Sequence, residues 1–229
     1  MAGEQSGRTQ MDIEHLKTPQ SAEIKAFATF ASGLLTGIDV GGRYLQLQTN
    51  NRPTSSNDKA KFKIDARLTL DGEPIGVLDV ERKPEWKGGG WPYQRINIPY
   101  RPADCFFDGE DGVGRLSSKT RELYRAWKAG SPGFWVAYTC QTADPSGQQM
   151  MVNRQGCMVV PAEHIFGTQF GPRSVPQPTR YKRDDGSQIF VDVIALPVDA
   201  GIICFSENDF TTVIVDAVSA WLKSQEVKA

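Results

Sequence analysis

Hydrophobic and polar positions alternate most cleanly between Lys63 and Lys83. Ile64, Ala66 and Leu68 share one parity and Asp65, Arg67 and Thr69 the other. Past the turn-forming Leu70-Asp71-Gly72-Glu73-Pro74, Leu78 and Val80 alternate with Asp79, Glu81 and Lys83. A period of two predicts two strands, each with an apolar and a polar face. How they pair depends on the parity of the turn. A two-residue Asp71-Gly72 loop would set Asp65 opposite Leu78, on the wrong face, whereas an odd loop sets it opposite Asp79 and diagonal to Glu81. Pro74 has no N–H to give a tight ladder and so favours the odd loop. The odd register also lets Ile64, Ala66, Leu78 and Val80 share one buried side. A strand with two acids and a lysine on one face, beside another acid, is either a solvated edge or a metal site. We read it as the site.

The same patterning outlines the remaining chain. A helix is predicted after Thr18-Pro19-Gln20-Ser21, capped by Ser21 or Thr18, with Ile24, Phe27, Phe30 and Leu34 at helical spacing and Gly37 and Gly41-Gly42 ending it. Tyr44 to Gln48 alternates as a strand. Arg115 to Ala129 reads as an amphipathic helix with Leu123, Tyr124 and Trp127 on its apolar side. Gly133 to Thr139 is a near-continuous apolar run, the pattern of a strand buried on both faces. Met150–Val152, Gly156–Val160 and Ile189–Leu196 read as further strands, interrupted by a polar, proline-bearing loop from Gly167 to Gly186. Asp209 to Lys223 closes the chain as a helix with Val213, Ile214, Val218 and Trp221 inward. Residues 1–18 are polar and uneven, which predicts a flexible arm before a single domain over residues 19–229.

Composition narrows the function classes. A chain of 229 residues with a net charge of −1 carries no global basic field, so any nucleic-acid surface must be local. No stretch is long and apolar enough to span a membrane, and Met1 to Gln10 lacks the apolar core of a signal peptide. Cys105, Cys140, Cys157 and Cys204 are scattered with no C-x-x-C pair, and only His15 and His164 could join them. They read as buried or idle thiols rather than a zinc or iron–sulfur site. The expected compartment is the cytoplasm.

With helix, hairpin, helix and buried strand in that order, Asp65 … Glu81-Arg82-Lys83 resembles the motif of the PD-(D/E)XK nuclease superfamily. In that family an Asp on one strand faces an (Asp/Glu)-x-Lys on the next. The match covers about residues 20–140. Ile64 stands where the nominal motif has Pro, and neither the Gln-x-x-x-Tyr signature of an exonuclease-like branch nor a four-cysteine cluster is present, so the branch is unassigned. The resemblance implies an α/β fold: a mixed central sheet flanked by helices, a restriction-endonuclease-like core, here with additional C-terminal strands and a closing helix. It also implies Mg²⁺, which Mn²⁺ could replace. Asp65 and Glu81 would be ligands and the backbone carbonyl of Arg82 a third. Asp79, on the same face, could replace Asp65 or stand behind it. Glu23 is either the helix-borne acid that many family members aim at the metal or a first-turn acid favourable to the helix dipole. Lys83 would contact the attacking water and the scissile phosphate.

These residue types suit phosphodiester hydrolysis, which needs an activated water and a home for the extra negative charge of the transition state. A hard divalent cation serves both needs and prefers carboxylate oxygens with retained waters. Between Trp86 and Arg101, Trp91, Tyr93 and Tyr100 interleave with Lys87, Arg95 and Arg101. Arginines pair with phosphates and aromatic rings stack on bases, so Lys87, Trp91, Tyr93, Arg95 and Arg101 form a candidate nucleic-acid surface; equally, the rings could pin a loop onto the core. The expected function is therefore a metal-dependent deoxyribonuclease, an endonuclease rather than an exonuclease, with DNA as partner; the oligomeric state is left open, although cutting both strands would benefit from a homodimer. The alternatives are a non-catalytic nucleic-acid-binding or assembly protein that retains the fold, and an acid-rich strand in an unrelated α/β protein.

Overall fold

The computed structural model describes residues 19–49, 64–83, 86, 90–100, 118–138, 156–167, 169, 173–182 and 186–227. The arm predicted over residues 1–18 and the strand predicted at Met150–Val152 lie outside them. The described elements, in chain order, are α1 (Pro19–Leu35), β1 (Ile38–Val40), β2 (Arg43–Thr49), β3 (Ala66–Leu70), β4 (Glu73–Arg82), β5 (Ile96–Tyr100), α2 (Ser118–Lys128), β6 (Gly133–Tyr138), β7 (Cys157–Pro161), α3 (Ala162–Phe166), β8 (Arg173–Lys182), β9 (Gln188–Leu196), β10 (Ile202–Cys204) and α4 (Glu207–Glu226). Among the described residues no helix is long and apolar enough to cross a membrane.

Seven strands form a mixed sheet in the order β1-β2-β3-β4-β6-β7-β10, and β5-β9-β8 form a second, antiparallel sheet. Within the large sheet β4 and β6 run parallel, and the other neighbours are antiparallel. Parallel neighbours require a crossover, and the segment between them carries β5 and α2. The chain is thus a mixed α/β protein.

The central strands of the large sheet are buried on both faces, and each face has its own core. One gathers Phe27, Ala31 and Leu35 of α1, Phe210, Ile214 and Val218 of α4, and Leu68, Leu78, Val80 and Val136 of the sheet. The other gathers Leu123 and Tyr124 of α2, Trp86, Ile96, Ile98, Ile194 and Leu196, and Trp135 and Ala137 of β6. Every residue of β6 is buried, as its unbroken apolar run predicts. The closing helix is fixed at its start by a capping box: Ser206 Oγ accepts the Asp209 N–H at 3.1 Å while Asp209 Oδ2 accepts the Ser206 N–H at 3.0 Å.

Several sequence expectations are corrected here. Pro19 begins α1, which places Ser21 inside the helix rather than at its cap. Gly41 and Gly42, at φ of +63° and +80°, turn β1 into β2 rather than ending a helix. The polar stretch within 167–186 contains β8. An edge strand tolerates proline, since the missing N–H can face its unpaired side, and β8 pairs only with β9. Ile64 turns away from Ala66 and packs with Trp86 in the second core, because the chain bends before β3 begins.

The hairpin itself departs from the expected turn and still reaches the expected register. Asp71 and Gly72, at φ of 49° and 86°, form a two-residue turn, and Leu70 pairs with Glu73. Both residues sit in the left-handed region, the requirement of the mirror-image turns that match strand twist. A bulge then follows: Thr69 pairs with Pro74 but Leu68 with Gly76, leaving Ile75 as an extra residue on β4. The extra residue shifts the parity back, so that Ala66 pairs with Leu78. Past the bulge, β4 is closely approached by another segment. A Cβ on Gly76 would lie 2.3 Å from the Pro132 carbonyl oxygen, and Val77 N–H donates to that same carbonyl at 3.0 Å.

Candidate functional site

The site lies at the carboxyl end of β4, beside its parallel neighbour β6. Lys83 carries the ladder one step past the strand, its N–H donating to the Tyr138 carbonyl at 2.7 Å. Leu78 and Val80 enter the first core, so alternation turns Asp79, Glu81 and Lys83 toward the face of the second. That face is not the solvated side of an edge strand. Asp79 is 6 % exposed, and its neighbours Trp135 and Ala137 are fully buried.

Glu81, Lys83 and Trp135 form one connected group. Lys83 Nζ donates to Glu81 Oε1 at 2.6 Å, with only 18 % and 26 % of the two side chains exposed. The Trp135 indole N–H donates to the other carboxylate oxygen, Oε2, at 3.2 Å. Lys83 Nζ also lies 5.6 Å from the centre of the Trp135 ring, within cation–π range. Asp65 joins from the residue before β3: its Oδ2 accepts the N–H of Val80 at 2.8 Å. Continued one step beyond Ala66–Leu78, the register sets Asp65 beside Asp79, as the odd parity requires. Arg82 pairs with Tyr138 in the parallel ladder, so its backbone belongs to the same strand end.

The other predicted residues fall elsewhere. α1 packs on the opposite face of the sheet, through Phe27, which stacks on Tyr138 with ring centres 4.6 Å apart. The side chain of Glu23, one turn earlier, lies outside the description, as do Lys87 and Arg101. Trp86 is core. Trp91 packs edge-on against it at 5.1 Å, donates its indole N–H to the Arg95 carbonyl at 3.1 Å, and meets Tyr93 at 5.2 Å. These rings do pin the loop. Tyr93 and Arg95 remain exposed at its surface. His164 is engaged through Nδ1 with the Ala200 carbonyl at 2.8 Å, away from the acids.

Trp135 is the residue that sequence reasoning missed. In the sequence it is one more apolar position of a buried strand. The signal was the indole N–H itself: a buried tryptophan needs an acceptor, and a neighbouring strand that ends in Glu81 supplies one.

A cation placed here would meet only hard oxygen: the Asp65 and Glu81 carboxylates, Asp79 on the same face and the Arg82 carbonyl at the strand end. That chemistry fits Mg²⁺, which takes one or two carboxylates and fills its octahedron with waters and substrate phosphate. Among the described residues, no three His, Cys, Asp or Glu side chains gather as a ready-made metal cage. The group as it stands is an ion pair and a backbone-held aspartate. Comparison with known proteins adds no relative: no family model, no curated protein and no solved structure matches this chain.

Proposed function

We propose that this chain is a metal-dependent nuclease with a restriction-endonuclease-like core, hydrolysing phosphodiester bonds in DNA at the end of β4. One observation carries the reading: Glu81 and Lys83 touch at 2.6 Å at the carboxyl end of a central strand, while Asp65, just before the adjacent strand, accepts the backbone N–H of Val80. A solvated ion pair would need neither that burial nor a tryptophan donor on the carboxylate.

In this reading Asp65, Glu81 and the Arg82 carbonyl hold Mg²⁺, with Asp79 beside them. The bound cation would acidify a water and neutralise charge on the phosphate. Lys83 has a separate task. Its ammonium, already at the strand end, releases Glu81 and donates to the non-bridging oxygen of the scissile phosphate, where negative charge grows. Asp65 stays oriented through the Val80 N–H, and Tyr93 and Arg95 offer a ring and a cation to the nucleic acid.

Incubation of supercoiled plasmid and of single-stranded DNA with Mg²⁺ or Mn²⁺ tests this, wild type beside Lys83→Ala and Glu81→Ala. The expected result is metal-dependent cutting that both substitutions reduce at least about 100-fold, the scale of losing a general acid–base group or an electrostatic donor. Direct linearisation, rather than nicking first, would point to two copies acting together. Cutting that survives both substitutions places the chemistry elsewhere. Tight DNA binding without cutting by any form favours the non-catalytic alternative.

A further inference from the structure

The geometry points to Trp135 as the positioning residue of this site, the group that fixes where Glu81 and Lys83 stand relative to one another. Three observations carry it. The indole N–H donates to Glu81 Oε2 at 3.2 Å. The ring lies 5.6 Å from Lys83 Nζ. And Trp135 is completely buried in a strand whose residues are all buried, so its ring has one orientation. A glutamate at a strand end has three rotatable bonds and would sample several rotamers in water. Here one carboxylate oxygen is held from β6 and the other by Lys83, which stops both motions.

The asymmetry between the two holds is functionally useful. Lys83 competes with any cation for Oε1, since both seek the same negative charge. The indole N–H is neutral and does not; it stays on Oε2 while Lys83 leaves. Trp135 thereby keeps the carboxylate in place through the exchange and offers the departing ammonium its ring face. It acts through Glu81 and Lys83 and does not touch the reacting phosphate. That Trp135 orients Glu81 follows from the geometry alone. That this orientation serves a metal rests on the nuclease reading.

The test reads the indole proton directly. The chain has five tryptophans, hence five indole N–H signals in a ¹H–¹⁵N spectrum of the labelled protein. The Trp135 signal is assigned by through-bond experiments on the wild type. Replacing Glu81 by Ala removes the acceptor at a residue that is partly exposed, so the fold should tolerate it. The Trp135 signal is expected to shift upfield in Glu81→Ala while the other four hold still. Adding MgCl₂ to the wild type is expected to move that same signal, and Trp135→Phe should weaken Mg²⁺ binding measured by calorimetry about tenfold, the usual cost of removing a group that orients a ligand.

If the signal is unmoved in Glu81→Ala, the positioning role is overturned, whatever the plasmid assay gives. If it moves in Glu81→Ala yet is indifferent to MgCl₂, the positioning role stands and the metal reading falls. If Mg²⁺ binds with unchanged affinity to Trp135→Phe, the indole does not prepare Glu81 for the cation, and the functional half of the inference is overturned.

Discussion

Asp71 occupies the left-handed region at φ 49° without being glycine, and its side chain explains how it stays there. Oδ1 accepts the Tyr44 N–H at 2.9 Å and Oδ2 accepts Arg43 Nε at 2.9 Å, which ties the β3–β4 turn to the neighbouring strand. Aspartate is among the few residues that tolerate this backbone. The backbone donor first, and then the guanidinium, hold its carboxyl below the ordinary value of 3.8. A carboxyl whose folded value is depressed stabilises the fold above its unfolded value and ceases to do so as pH falls through the folded one. Chemical denaturation of wild type and Asp71→Asn should therefore differ at pH 6, and the difference should shrink as the pH is lowered past the ordinary value and through the depressed folded one. A difference that is the same at pH 6 and in acid would mean that the charge contributes nothing. Asparagine keeps the left-handed preference and an oxygen for Tyr44, so the comparison isolates the charge.

One residue also decides how two strands meet. Ile75 is the extra position of the bulge, and without it the Asp71-Gly72 turn would carry even parity along the whole hairpin, setting Asp65 opposite Leu78. Deleting Ile75 should cost the fold at least about 2 kcal/mol, because either the turn must re-form or one strand must turn its apolar side outward. It should also abolish the Asp65–Val80 hydrogen bond, seen as faster exchange of the Val80 amide. Unchanged stability and unchanged protection would show that the bulge does not set the register. Much of the hairpin was legible: alternation told which residues share a face, and the shared apolar side demanded the odd register. The turn differs from the expected one because Pro74 pairs within the ladder instead of breaking it. In the fold it sits at the start of β4, and the bulge beside it absorbs the mismatch. Beside that bulge the Pro132 carbonyl comes close to Gly76 and accepts the Val77 N–H, an approach between residues 56 positions apart that no local pattern encodes. The prolines of β8 misled in a similar way. A proline in a strand signals an edge, but which segment forms an edge is a property of the assembled sheet.

At the scale of the molecule, the central sheet separates two cores, and this is why the polar face of β4 is largely covered rather than openly solvated. The sequence shows that face as charged; only the parallel pairing with β6 reveals that a buried indole lies across from the acids. The four cysteines likewise look scattered along the chain, yet Cys157 and Cys204 stand directly opposite each other in the β7–β10 ladder, both buried and both free. Their mutual hydrogen bond, and then burial, push the Cys157 thiol well above its usual range. Thiolate is the reactive form and both sulfurs are buried, so alkylation waits on the displacement of β10. That makes the pair a clock for the detachment of this three-residue edge strand from the sheet. Iodoacetamide labelling followed by peptide mass mapping should show Cys157 and Cys204 modified at one common rate, since a single opening uncovers both, and that rate should rise with denaturant. Unequal rates would mean that the two sulfurs are uncovered by different motions. A common rate faster than global unfolding would identify β10 and the helix behind it as the part of the molecule that lets go first.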